Sequence, residues 1–320
     1  MTDILKSTLP TDTLKKFLTT DKSTRIQALH LSHAWQTGLA HQDLPPVVIR
    51  LLGELAAASV LLAGNIKFDG SVVLQLQGNG PVRLIMVECT AALGLRATAH
   101  LRDEMPIPEN STLQQLMNPD GLGRFTVLLD PAAEQAGAST YQGIVPLEGE
   151  TVAAVLEHYM KHSEQLDTRL WLAADADACG GLLLQRMPGE PDATGTPQDS
   201  DSAQATWEHC QALAATIKAP ELLASGNPDA LIHKLFWEDD LLAFPEQDIR
   251  WHCPCTRERV ANMLRSLGRP EVESILEEQG HVHIACNFCG KPYDFDAVDC
   301  ATLFIDPDDM MPAPGSRSVH

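Results

Sequence analysis

An α+β fold is the class this sequence predicts, with antiparallel sheets in an N-terminal core, then a helical linker and a small C-terminal unit. Three observations carry it. Short apolar runs follow one another through the first 190 residues, joined by Gly-, Asn- and Asp-rich turns of the kind that connect antiparallel neighbours. Few strand–helix–strand alternations occur, which disfavours a doubly wound parallel sheet. After Met187 the texture changes, first to a polar, acidic segment and then to one bearing paired cysteines.

The first clear element is a helix opened by Pro45 and Pro46, since proline's missing N–H is not needed in a first turn. Val47, Val48, Leu51, Leu52, Leu55, Ala56 and Ser59 then recur at helical spacing. Arg50 and Glu54 interrupt the apolar stretch 47–63, so it reads as a buried helix and not a membrane span. Asn65 leads into a strand at Ile66-Lys67-Phe68, Asp69-Gly70 reads as a hairpin turn, and 71–77 as the return strand. Gly78-Asn79-Gly80-Pro81 turns the chain again into a strand over 82–89. Further strands are expected at 95–101, 124–129, 141–145, 169–173 and 181–187. Between them, Thr151 caps a helix over 151–163 whose apolar face is Val152, Val155, Leu156, Tyr159 and Met160.

Residues 188–205 are rich in Pro, Gly, Asp, Ser and Thr and read as a flexible linker. Short helical patterns follow at 207–217, 220–224 and 229–237, the last placing Leu231, Ile232, Leu235 and Phe236 on one face. From Glu190 to Arg250 twelve Asp and Glu face three Lys and Arg. Such a segment buries little by itself, so it packs by lying on another surface, and its stability is low and easily shifted. From Trp251 a compact unit is expected. Thr256 caps a helix with the stripe Val260, Met263, Leu264 and Leu267, and Gly268 stops it. A second helix over 270–279 and a strand over 281–285 complete the pattern. The expected plan is thus a core at 1–188, a linker at 189–250, a C-terminal unit at 251–305 and a disordered tail at 306–320.

Composition narrows the function. The chain has 320 residues, of which 44% are hydrophobic, enough for a packed core. Its formal net charge of −20 argues against nucleic acid as a main partner, and equally against an anionic membrane surface. The N-terminal MTDILKSTLPTDTLKKFL shows no secretory leader, so the cytoplasm is the expected location. In that reducing compartment eight cysteines are more naturally thiols or metal ligands than structural disulfides.

Four of these cysteines form the strongest motif: Cys253-Pro254-Cys255, thirty residues, then Cys286-Asn287-Phe288-Cys289. Two close pairs of thiolates can meet around one tetrahedral Zn²⁺, and a unit of about fifty residues needs such a cross-link because its apolar core is thin. Cys286-Asn287-Phe288-Cys289-Gly290-Lys291 has the form of a zinc knuckle. The same proximity lets each pair close into a disulfide, and oxidation competes with metal for the same thiolates. Spacing therefore supports either a constitutive structural zinc site or a redox-active one. His252, His281 and His283 read as exposed neighbours, Cys300 as a partly buried bystander, and Cys89, Cys179 and Cys210 as packing residues. A thioredoxin-like role for Cys286 and Cys289 lacks the early strand–helix–strand context. No Gly-rich phosphate loop, nucleophile elbow or acid–base pair is visible, and the chain is read as a non-enzyme.

With these segments in view the chain resembles the redox-regulated heat-shock chaperones of about thirty-three kilodaltons, a bacterial oxidative-stress holdase family. The matching stretches are IKFDGSVVLQLQGNGP, YQGIVPLEGETVAAVLEHYMKHSEQLDTRL, GGLLLQRMPG, CPCTRERV and CNFCGKPYDF, in the family's order over most of 44–296. The resemblance implies that Cys253, Cys255, Cys286 and Cys289 bind one zinc ion when reduced, and form the disulfides Cys253–Cys255 and Cys286–Cys289 when oxidised. It also implies an α+β core, a helical linker folded over it, and a C-terminal zinc-binding redox domain. Members dimerise on activation and hold unfolding client proteins without ATP. The chain departs from the pattern in its longer polar stretch around Asp192 to Ala205. On this reading, oxidation expels zinc, the linker loses support, and apolar side chains including Leu231, Leu235 and Phe236 become a client-binding surface. The alternatives are a constitutive structural-zinc interaction protein and a thiol–disulfide oxidoreductase.

Overall fold

A computed structural model describes residues 12–132, 139–189, 201–224 and 226–304. Residues 1–11, most of the polar stretch 188–205 and the tail 306–320 lie outside the described residues. The chain divides into two compact units between His252 and Cys253.

The first unit opens with β1 (Thr13–Thr19), β2 (Thr24–Leu31), α1 (His33–Leu39) and α2 (Pro46–Ala63). There follow β3 (Gly70–Gln77), β4 (Val82–Thr90), β5 (Gly94–Leu101), α3 (Leu113–Met117), β6 (Arg124–Pro131) and β7 (Tyr141–Pro146). Then come α4 (Val152–His162), β8 (Thr168–Ala174) and β9 (Cys179–Arg186), and the linker elements α5 (Asp201–Ala214), α6 (Ala219–Ala224) and α7 (Pro228–Leu235). Three short strands close the unit: β10 (Leu241–Ala243), β11 (Gln247–Asp248) and β12 (Arg250–Trp251).

One sheet runs β10-β1-β2-β9-β8, with β11 also on β1; the other runs β12-β5-β4-β3-β6-β7. All pairings are antiparallel except β12 on β5. The α+β class with antiparallel sheets therefore holds. Helix α2 packs on strands of both sheets, which is why it is apolar nearly all round: Val48, Leu52, Leu55, Val60 and Leu61 are fully buried. It is long and apolar enough to cross a membrane by length and composition, yet 72% of that window is buried inside the fold. Thr151 caps α4 as expected, its side chain accepting from the Ala154 N–H.

The Asp69-Gly70 hairpin does not form. Gly70 opens β3 as an extended residue, and both edges of β3 are taken by β4 and β6, leaving 66–68 no strand to pair with. The helix expected at 207–217 begins at Asp201, inside the stretch read as linker loop. Strands β1 and β2 carried no distinct sequence signal, because in β2 six consecutive residues from Ile26 to Leu31 are buried and period-two alternation is lost.

The linker lies on the β10-to-β8 sheet. Trp207, Cys210, Ala214, Leu222, Leu231, Ile232 and Phe236 bury themselves with Phe17, Ile26, Ala28, Leu182 and Leu184. Polar ties flank this contact: Lys15 Nζ to Asp229 at 3.0 Å, Thr206 Oγ1 to Asp21 at 2.8 Å and His30 Nε2 to the Leu223 carbonyl at 3.0 Å. Gly180 makes the approach of α6 feasible, since a Cβ there would stand 2.4 Å from the Leu222 carbonyl oxygen.

The second unit contains α8 (Arg257–Leu267), α9 (Arg269–Gln279), the hairpin β13 (Val282–Ala285) with β14 (Pro292–Phe295), and α10 (Ala297–Leu303). Thr256 caps α8 and Gly268, at φ +98°, ends it, as expected. The predicted stripe is only partly used: Leu264 is buried, but Met263 and Leu267 are half exposed. The reason is size. Among the described residues the core of this unit comprises Ala261, Leu264, Val272, Val282, Tyr293, Phe295 and Cys300, too few to cover the helix.

Candidate metal centre

Both cysteine pairs belong to the second unit, and local backbone geometry presents each. Cys286 and Cys289 occupy the tip of the β13–β14 hairpin, where Ala285 pairs with Pro292. The Gly290 N–H donates to the Cys286 carbonyl at 2.8 Å, and the Cys286 N–H to the Lys291 carbonyl at 3.0 Å. Gly290 adopts φ +66°, the left-handed conformation that turns the chain tightly beneath the sulfurs. Cys253 and Cys255 immediately precede α8. There the Thr256 hydroxyl accepts from the Arg259 N–H, and Arg259 Nη1 donates to the Pro254 carbonyl at 3.2 Å. Placement before a helix N-terminus favours thiolate over thiol.

The four Sγ atoms lie within 4.8 Å of one another, all half buried. Two short contacts run across the pairs, Cys253 to Cys286 at 3.7 Å and Cys255 to Cys289 at 3.2 Å. A tetrahedral ion with bonds of ~2.3 Å to sulfur sets its ligands about 3.8 Å apart, so this cluster fits one ion of zinc's size and preference. Four sulfurs this close cannot all ionise unaided. Burial pushes the Cys253 thiol up, and burial together with neighbouring sulfurs pushes Cys289 up to about 12. Against its own burial, Cys255 is drawn down to about 7 by the Tyr293 hydroxyl and the adjacent sulfurs. A divalent cation would allow four thiolates to coexist here.

The remaining candidates stand apart. Among the described residues no other group of three or more His, Cys, Asp or Glu side chains is placed to share an ion. His252, His281 and His283 are exposed, and His283 Nδ1 turns to Asp294 Oδ1 at 2.6 Å. Cys300 is fully buried, not partly so, and burial raises its thiol above the ordinary range. Cys89, Cys179 and Cys210 are buried packing residues; burial raises the Cys89 and Cys179 thiols and pushes Cys210 up to about 12. Leu231 and Phe236 are buried against the first unit's sheet and Leu235 is half buried there. Sequence reasoning passed over Tyr293. Only its alternation with Phe295 on the inward face of β14 marked it, and that pattern says core without saying what its hydroxyl meets.

A family model described as Hsp33 protein matches residues 12–296. The chain belongs to the Hsp33 family. Proteins named 33 kDa chaperonin are similar along nearly their whole length. That of Methylobacillus flagellatus is 43% identical over 92% of this chain and 94% of its own. Those of Chromobacterium violaceum and Pseudomonas aeruginosa, at 41% and 40%, cover the same shares. The crystal structure of the Thermotoga maritima 33 kDa chaperonin superposes with a TM-score of 0.73, covering 91% of this chain and 97% of that one. At 20% identity, that match speaks to the fold. The Hsp33 names support a chaperone.

Proposed function

We propose that this protein is an ATP-independent holdase chaperone, not an enzyme, which oxidation switches on in the bacterial cytoplasm. The observation that carries the reading is the cluster of four sulfurs in a unit whose described core has seven buried side chains. Cys253, Cys255, Cys286 and Cys289 hold one zinc ion in the reduced state. When bound, the ion supplies a cross-link between the two pairs and the charge that keeps all four as thiolates.

Oxidation removes the ligands. A thiolate of one pair attacks peroxide, the O–O bond breaks with hydroxide as the leaving group, and that sulfur becomes a sulfenic acid. The second thiol of the pair attacks this sulfur and displaces water, so two electrons pass from the sulfurs to the peroxide and one S–S bond forms. The resulting Cys253–Cys255 and Cys286–Cys289 disulfides leave no donor set, and a unit with so small a core unfolds. Cys253 is continuous through His252 with β12, whose partner is β5, so unfolding reaches the end of the linker through the chain itself. Release of the linker uncovers Leu231, Leu235 and Phe236, together with the sheet face they cover, as apolar surface for unfolding client proteins and for a second copy of the chain. Nucleic acid and membrane are not partners on this reading.

The test treats reduced, zinc-loaded protein with peroxide under mild unfolding stress, then follows zinc release and aggregation of a denatured client. Zinc release with suppressed aggregation is the expected result. Zinc release without suppression would falsify the holdase reading. Retained zinc with unchanged client binding would point to a constitutive zinc protein, and catalytic turnover of substrate disulfides to an oxidoreductase.

A further inference from the structure

One cleft in the first unit runs against the charge of the chain that forms it. The whole sequence has 23 Lys and Arg against 43 Asp and Glu. Between α4, the start of β8, the end of β9 and the linker helix α5 lies a cleft of about 430 Å³, within the ~300–1,000 Å³ usual for small-ligand sites. Its wall reverses the balance, with Lys161, Arg169 and Arg186 against Glu157 and Asp167. His158 and His162 share that wall, their ring centroids 4.3 Å apart.

Hydrogen bonding fixes one donor and leaves others open. Glu157 Oε1 accepts the Leu170 N–H at 2.7 Å, and its Oε2 accepts from Arg169 Nη1 at 3.0 Å. Arg169 Nε donates to Gln211 Oε1 of α5 at 3.2 Å, so one guanidinium joins α4, β8 and the linker. Among the described residues its Nη2 has no acceptor, and neither Lys161 nor His162 forms an ion pair. His158 stands 3.8 Å from Glu148 Oε2. A cation in the last turn of α4 suits that helix end by itself, but a shared wall with a clamped arginine does not follow from the helix. An ammonium, an imidazole N–H and an oriented guanidinium are the donors that recognise phosphate oxygens.

We propose that this cleft binds the phosphate group of a small anion through Lys161, His162 and Arg169, and that the bound anion fastens α5 to the core. Gln204, Trp207 and Gln211 of α5 supply one wall, so the site is complete only while the linker is docked. A ligand that binds only the docked form stabilises that form by mass action. Any effect on client capture rests on the function proposed above; the binding itself does not, since the cleft lies wholly in the first unit.

The experiment titrates full-length, reduced, zinc-loaded protein with inorganic phosphate and, in a second arm, with glycerol phosphate, each against sodium chloride of equal ionic strength. Saturable binding is expected, with amide chemical-shift changes concentrated at 154–169 and 204–211. At ten times its Kd the anion should slow amide exchange in α5 about elevenfold. Lys161→Gln and His162→Gln, both at exposed positions, should each weaken binding roughly three- to tenfold without altering the circular dichroism spectrum. Tighter binding of glycerol phosphate would identify a phosphate ester as the ligand and equal binding free phosphate; either supports the site. No saturation beyond the chloride control, shift changes centred elsewhere in the native protein, or unchanged affinity in both variants overturns it. Binding at the cleft with α5 exchange unmoved overturns the fastening. Phosphate binding as expected in a protein that suppresses no aggregation after oxidation counts against the holdase alone, so the two readings fail separately.

Discussion

The two units of this chain are held together by different physics. In the first, two sheets close on a central apolar helix, and Leu52, Leu55, Leu61, Leu74 and Phe125 are among many side chains fully withdrawn from water. Burial on that scale stabilises without help and is indifferent to oxidants. In the second, among the described residues, seven buried side chains support three helices and a hairpin, and four half-buried sulfurs share the centre. On the proposed reading, a structure of that kind depends on the chemical state of its thiols. The difference teaches that the proposed sensitivity to oxidation is a matter of how little else stabilises the unit, as much as of the cysteines themselves. The linker lies between these extremes: apolar contact holds it to the first sheet, but that contact involves few residues of short helices.

The largest effect expected is from Cys289→Ser. With a ligand lost, a metal contribution of about 10–16 kcal/mol is weakened severely, and the second unit should lose amide-exchange protection while β3 to β6 keep theirs. Retained protection in α8 and α9 would show that the small core suffices, and would erase the contrast between the units. Leu231→Ala probes the intermediate case. Removing this buried side chain should cost about 2–5 kcal/mol and raise exchange throughout 201–243, with little change in the central strands. Uniform loss of protection across the first unit would mean that linker and core are one cooperative body.

The smallest effect tests the first unit's tolerance of a buried charge. Burial in α2 raises the Glu54 carboxyl to about 7, with Arg50 opposing the shift. The folded state therefore keeps this proton to higher pH than the unfolded chain, and stability declines as pH rises from about 4.5 to about 7, then levels off. Glu54→Gln should be near neutral at pH 4 and stabilising by about 2–3 kcal/mol at pH 8, measured by denaturant unfolding at both. Equal effects at the two pH values would show that Glu54 is hydrated in the folded protein.

Much of the fold was legible where local chemistry decides it. Thr151 and Thr256 cap the helices they were expected to cap, Pro46 opens α2, and the turn at Gly78 to Pro81 joins β3 to β4. Elements whose identity depends on distant partners were not. Strand β1 exists between β2 and β10, residues far apart in sequence, and β12 is a strand only because β5 offers an edge. Asp69-Gly70 illustrates the same point in reverse: the local preference for a hairpin yields when the neighbouring strand's edges are already filled.

At the site, which four sulfurs cluster followed from residue type and spacing, because two short loops with paired thiols have few ways to satisfy tetrahedral coordination. Three-dimensional packing decided the rest. It brought the two pairs within 4.8 Å, across a gap of thirty residues, and set Cys253 against Cys286 and Cys255 against Cys289. It buried Cys300, and it laid Leu231 and Phe236 on the sheet. Side-chain chemistry is written residue by residue, whereas burial and cross-chain proximity are properties of the packed chain as a whole.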